Sequence, residues 1–100
     1  MNSKQRAQLR SLANSLDTIL HIGKSGITEN VISQASGALD ARELIKCRVL
    51  EASLMSAREA SDALCIACSA EPVQVIGSRF VLYKESKSIE KEKRIKLLRG

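Results

Sequence analysis

The sequence predicts an α/β fold: a single domain with the order α-β-α-β-α-β-β, forming a mixed four-stranded sheet with packed helices. Three observations predict it. Apolar residues recur at helical spacing in three stretches, and β-branched or alternating runs fill the gaps between them. The last two runs are separated only by Gly77-Ser78, a two-residue hairpin signal with glycine first. With 100 residues, 44% of them hydrophobic, the chain holds material for one core and not for a second.

The first helix is read over residues 3 to 16, with Ser3 as its N-cap and Leu9, Leu12, Ala13 and Leu16 on the apolar face. The other face carries Lys4, Arg6 and Arg10. Arg6 and Arg10 stand i, i+4, where like charges repel by roughly 0.2 to 0.5 kcal/mol, so an external anion would relieve them. Thr18 to Ile22 is a β-branched and apolar run, read as a strand, which leads straight into Gly23-Lys24-Ser25-Gly26. A second helix follows, capped by Thr28, burying Val31, Ile32, Ala35 and Leu39, with Ile27 and Ile32 as a hydrophobic staple. Leu44 to Leu50 is the next strand, with Ile45, Cys47 and Val49 on one face and Lys46 and Arg48 on the other. Ser56 and Glu59 form a capping box. The helix they open buries Ala57, Ala60, Leu64, Ala67 and Cys68 and stops near Ala70, because Pro72 cannot continue it. Val73 to Ile76 and Arg79 to Tyr83 make the closing antiparallel pair. Beyond Lys84 the apolar residues lose any period, so residues 1–86 read as the domain and 87–100 as a basic flexible tail.

Charge narrows the class of partner. The net +5 is concentrated at the two ends: residues 1 to 26 carry four basic and one acidic side chain, and residues 84 to 100 carry seven and three. The middle is net negative. That asymmetry points to an anionic partner. No apolar h-region follows Met1-Asn2-Ser3-Lys4-Gln5-Arg6, and no run is long enough to cross a bilayer, so neither secretion nor a membrane is predicted. Three cysteines are an odd count that suits free thiols in a reducing cytoplasm.

The candidate site is the loop Gly23-Lys24-Ser25-Gly26. It lies between a strand and a helix N-terminus, where unpaired amides and the helix dipole favour an anion. Glycines without a Cβ let a phosphate approach the backbone, Lys24 adds a mobile charge, and Ser25 adds a hydroxyl donor. Gly23-Lys24-Ser25 also imitates the end of a nucleotide-binding P-loop, but Thr18 stands where that loop needs its first glycine. No small-molecule substrate or cofactor is therefore predicted. The single histidine, His21, lies in an apolar strand with no partnered acid or nucleophile, so no catalytic residue is predicted and the chain is read as no enzyme. Cys65 and Cys68 fall within one helix rather than a knuckle, and with Cys47 they read as buried thiols, not metal ligands. Phe80 and Tyr83 are the two aromatic residues, too few for a base-stacking platform, so recognition should rest on phosphates and shape.

Four ordered blocks of the chain resemble the CRM domain, the RNA-binding module named for chloroplast RNA splicing and ribosome maturation, in its bacterial stand-alone YhbY-like form. They are Lys4 to Leu16, Ile22 to Thr28, Ala41-Arg42-Glu43-Leu44-Ile45-Lys46, and Val75 to Lys84. The resemblance implies a fold similar to the C-terminal domain of translation initiation factor three. It also implies association with ribosomal RNA in precursors of the large ribosomal subunit, assistance in ribosome assembly, and no catalysis. The family loop is usually Gly-Lys-Gly-Gly; Gly23, Lys24 and Gly26 match it and Ser25 departs. The expectation is a cytoplasmic monomer that clamps RNA backbone with Gly23, Lys24, Ser25 and Gly26, extends the track with Lys4, Arg6 and Arg10, and adds Lys46 and Arg79. The rival is a ribosome-associated adaptor that contacts protein and not RNA.

Overall fold

The computed structural model describes residues 1–98. Helix α1 (Ser3–Ala13) is capped by Asn2, whose side chain accepts from the Gln5 amide at 2.9 Å while the Gln5 side chain accepts from the Asn2 amide at 3.1 Å. The cap is thus Asn2 and not Ser3. A reciprocal box needs Gln or Glu three residues on, which Asn2 has in Gln5 and Ser3 lacks in Arg6. The helix also stops at Ala13, three residues before the predicted end.

Strand β1 (Thr18–Ile22) and helix α2 (Glu29–Arg42) follow as predicted, with Thr28 Oγ1 accepting from the Val31 amide at 3.2 Å. Strand β2 (Leu44–Val49) leads to α3 (Ala57–Cys68), opened by the Ser56/Glu59 box. What ends α3 is Ser69, in the left-handed conformation at φ +55°, and not Pro72. Pro72 lies inside β3 (Glu71–Ile76), which tolerates it because β3 is an edge strand. Gly77, at φ +56°, turns the chain into β4 (Arg79–Tyr83).

The sheet order is β1-β2-β4-β3, with β1 parallel to β2 and the other two pairs antiparallel, the predicted mixed sheet. One face buries Leu20, Ile22, Ile45, Cys47, Phe80 and Leu82 beneath α2 and α3. On α3, Ser61 is buried and the predicted Ala67 is exposed, because the buried stripe lies one residue to the side of it. The opposite face buries Leu44, Val73, Val81 and Tyr83 beneath Leu9 and Ala13 of α1.

The chain beyond β4 is where the structure departs furthest from expectation. In place of a flexible tail from residue 87, the described part of this segment, to Leu98, lies along the α1 side of the sheet as a strap. Its Ile95 and Leu97 pack on the smaller core, and α1 grips its backbone: Gln8 donates to the Lys96 carbonyl at 2.8 Å and accepts from the Leu98 amide at 2.9 Å. Glu43, buried at 1% exposure, accepts from the Ser86 amide at 2.8 Å and from the Ile95 amide at 2.7 Å. Residues 99 and 100 of the predicted tail lie outside the described residues.

Candidate nucleic-acid interface

The glycine loop is a turn closed by the Gly26 amide on the Gly23 carbonyl at 3.1 Å. Gly26 has φ +68°, a conformation that favours glycine, and a Cβ there would stand 3.2 Å from the Met55 sulfur. Gly23 faces open space. Between them Lys24 and Ser25 are exposed, and Ser25 adopts no left-handed angle, so its departure from glycine costs the turn nothing. Ile27 and Thr28 separate the loop from the first turn of α2. There Thr28 takes the Val31 amide, while the amides of Glu29 and Asn30 have no acceptor within the helix. Glu29 itself offsets part of the dipole's pull on an anion, which makes the Lys24 charge more necessary.

The other predicted contacts fall on a different side. Helix α1 lies on the sheet face opposite α2, so Lys4, Arg6 and Arg10 are not gathered around the loop. Lys4 is at the end of α1 where Gln5 donates to the Leu98 carbonyl at 2.9 Å, beside the strap. Arg6, half-buried, lines a hollow with Arg58, Pro72 and Gln74 at the β3 edge. Arg10 is exposed in the last turn of α1. Lys46 and Arg79 lie between α1 and the loop, in a hollow on the part of the sheet that α1 leaves open. The bond of the Leu50 amide to the Ile22 carbonyl, 2.9 Å, ties the end of β2 to the strand that carries the loop. The predicted residues therefore form two groups, the loop and the α1 face, with the open sheet between them. Arg48, exposed on β2 on the same face as Lys46, belongs to that open part and was not singled out by the sequence.

Two of the three thiols are buried as the sequence suggests, and Cys65 is not fully so. Cys47 and Cys68 are buried and Cys65 is half-buried; burial pushes the Cys47 thiol up to about 12, with Cys65 and Cys68 nearby adding to the effect. Among the described residues no group of three or more His, Cys, Asp and Glu is placed to hold a metal, and no helix is long and apolar enough to cross a membrane.

Residues 1–84 match the family model of the CRS1/YhbY (CRM) domain, which spans every element from α1 to β4. The chain belongs to the CRM domain family. Among its CRM relatives, "Probable RNA-binding protein YqeI" of Bacillus subtilis is 42% identical over 87 residues, covering 87% of this chain and 91% of the relative. A Haemophilus influenzae protein named "RNA-binding protein" is 34% identical over 86 residues, 86% of this chain and 87% of its own length. The solution structure of the hypothetical protein SAV1595 from Staphylococcus aureus superposes with a TM-score of 0.79 at 46% identity, covering 98% of this chain and 99% of that one. That near-complete coverage takes in the strap as well as the CRM core.

Proposed function

We propose that this CRM protein binds RNA through its phosphate backbone, performs no chemistry on it, and acts as a cytoplasmic monomer on ribosomal RNA in precursors of the large subunit, assisting assembly. The observation that carries the reading is the loop. A turn that needs glycine at φ +68° leaves Lys24 and Ser25 exposed, two residues of chain, Ile27 and Thr28, before the first turn of α2 with its free amides, an arrangement suited to a phosphate. The names of the two relatives support RNA as the partner. Lys4, Arg6, Arg10, Lys46 and Arg79 then extend the phosphate contacts away from the loop.

The test is sedimentation of a native lysate through a sucrose gradient at low salt, with and without RNase, for the wild type and Lys24→Glu. Co-migration with large-subunit precursors that both RNase and the substitution abolish is the expected result. Co-migration that survives RNase would favour the adaptor, and a protein that stays at the top of every gradient would refute the ribosomal reading.

A further inference from the structure

The open part of the sheet has a composition that the loop does not explain. On the α1 side, the pairing register sets His21 beside Arg48, Arg48 beside Arg79 and Arg79 beside Ile76, one row across all four strands. One step toward α1 a second row sets Lys46 beside Val81 and Val81 beside Gln74. Neighbouring strands are about 4.8 Å apart, so Arg48 and Arg79 are held closer than two like charges would choose. Neither they nor Lys46 enters an ion pair among the described residues. No acidic residue lines the hollow on this face, whose walls and floor include Asn14, Lys46, Gln74 and Arg79. Ile76, 63% exposed at its rim, is an apolar surface with nothing on it.

We infer that this hollow receives an unpaired nucleotide of the bound RNA: Lys46 and Arg79 in the hollow, with Arg48 outside it but paired with Arg79 across the strands, hold its backbone phosphates, Ile76 supports the base, and the side-chain amides of Asn14 and Gln74 read the base edge. The inference rests on the RNA-binding reading above and names the kind of RNA. Three cations on two neighbouring strands suit an anionic chain, since none is in an ion pair among the described residues even though Asp17 and Glu51 line adjoining hollows with Lys46 and Arg48. Two carboxamides, each both donor and acceptor, suit the free edge of a base and add nothing to the binding of a phosphate. A duplex keeps those edges paired. It is also a stiff cylinder, whereas the hollow is a step walled by α1, itself about 10 Å across, into which a flexible strand can descend. Arginine planes can take the stacking role that the scarcity of aromatic residues leaves open.

Fluorescence anisotropy with the full chain tests this, using an oligouridylate of about 12 nucleotides and a blunt RNA duplex of about 16 base pairs as probes. The wild type is expected to prefer the single strand by at least about fivefold, and Arg48→Gln and Gln74→Ala each to remove that preference. Arg48→Gln should also lower the salt slope for the single strand by about one. Lys24→Ala should weaken both probes and keep the preference. Circular dichroism confirms that each variant is folded. If Lys24→Ala weakens binding while Arg48→Gln and Gln74→Ala leave the preference unchanged, the hollow is not the site although the RNA-binding reading stands. If neither probe binds the wild type, the reading on which the inference rests fails with it.

Discussion

Glu43→Gln tests how the strap is held. The residue is 1% exposed, and its two carboxylate oxygens each accept one amide, from Ser86 at 2.8 Å and from Ile95 at 2.7 Å. Glutamine keeps one oxygen and turns an NH2 group toward the other amide. One charge-assisted bond is lost and a donor is left facing a donor in a site closed to water, which costs about 1 to 3 kcal/mol. Against a domain stability of about 5 to 15 kcal/mol, a loss near 2 kcal/mol would lower Tm by roughly 10 °C. The origin of the cost is separable by a double-mutant cycle in urea denaturation. Ile95→Pro removes one of the two amide donors and sits after Arg94, whose extended backbone at ψ 154° accepts a following proline. In that background glutamine can keep its oxygen on the Ser86 amide, so Glu43→Gln should cost less than about 0.5 kcal/mol and the coupling should be about 1 to 2 kcal/mol. Additive effects would refute the clamp.

Two further outcomes follow from the same geometry. Gly26→Ala should destabilise the protein by about 1 to 2 kcal/mol, from the left-handed backbone and the Cβ contact with Met55, measured as a shift in urea midpoint; an unchanged midpoint would mean the loop is not held in this turn. Tyr83, the single tyrosine, has its hydroxyl pushed up to about 12, first by burial and then by Glu43, Glu85 and Glu71 nearby. The unfolded chain ionises near pH 10 and the native one near 12, so this contribution to stability is complete below pH 10 and is lost as pH rises through 12. An absorbance titration of the folded protein with its midpoint near the lower value would contradict the burial.

Local chemistry made much of this fold readable. Thr28 and the Ser56/Glu59 box fix two helix starts within a few residues, and Gly77-Ser78 fixes a hairpin, because each acts on its immediate neighbours. The glycine loop was legible for the same reason. The strap was not, because Ile95 and Leu97 pack as extended chain with no period, and the side chains that hold it, Gln5, Gln8 and Glu43, reach partners 43 to 93 residues away. Glu43 gave no sign of burial in a sequence whose acids otherwise fall on solvent faces. The sheet face shows the same limit. Alternation put Lys46 and Arg48 on one side of β2, but only the pairing of β2 with β4 sets Arg48 beside Arg79, and only the seat of α1 shows which part of that face stays open. Lys4, Arg6 and Arg10 were readable as a basic helix face, while their separation from the loop by the sheet is a property of packing.

Whether the loop holds RNA is decided by the salt dependence of RNA affinity for the wild type and Lys24→Ala, titrated side by side. Backbone binding through the loop predicts that log affinity falls linearly with log salt concentration and that the substitution lowers the slope by about one. An unchanged slope in Lys24→Ala would remove the loop from the interface and contradict the account.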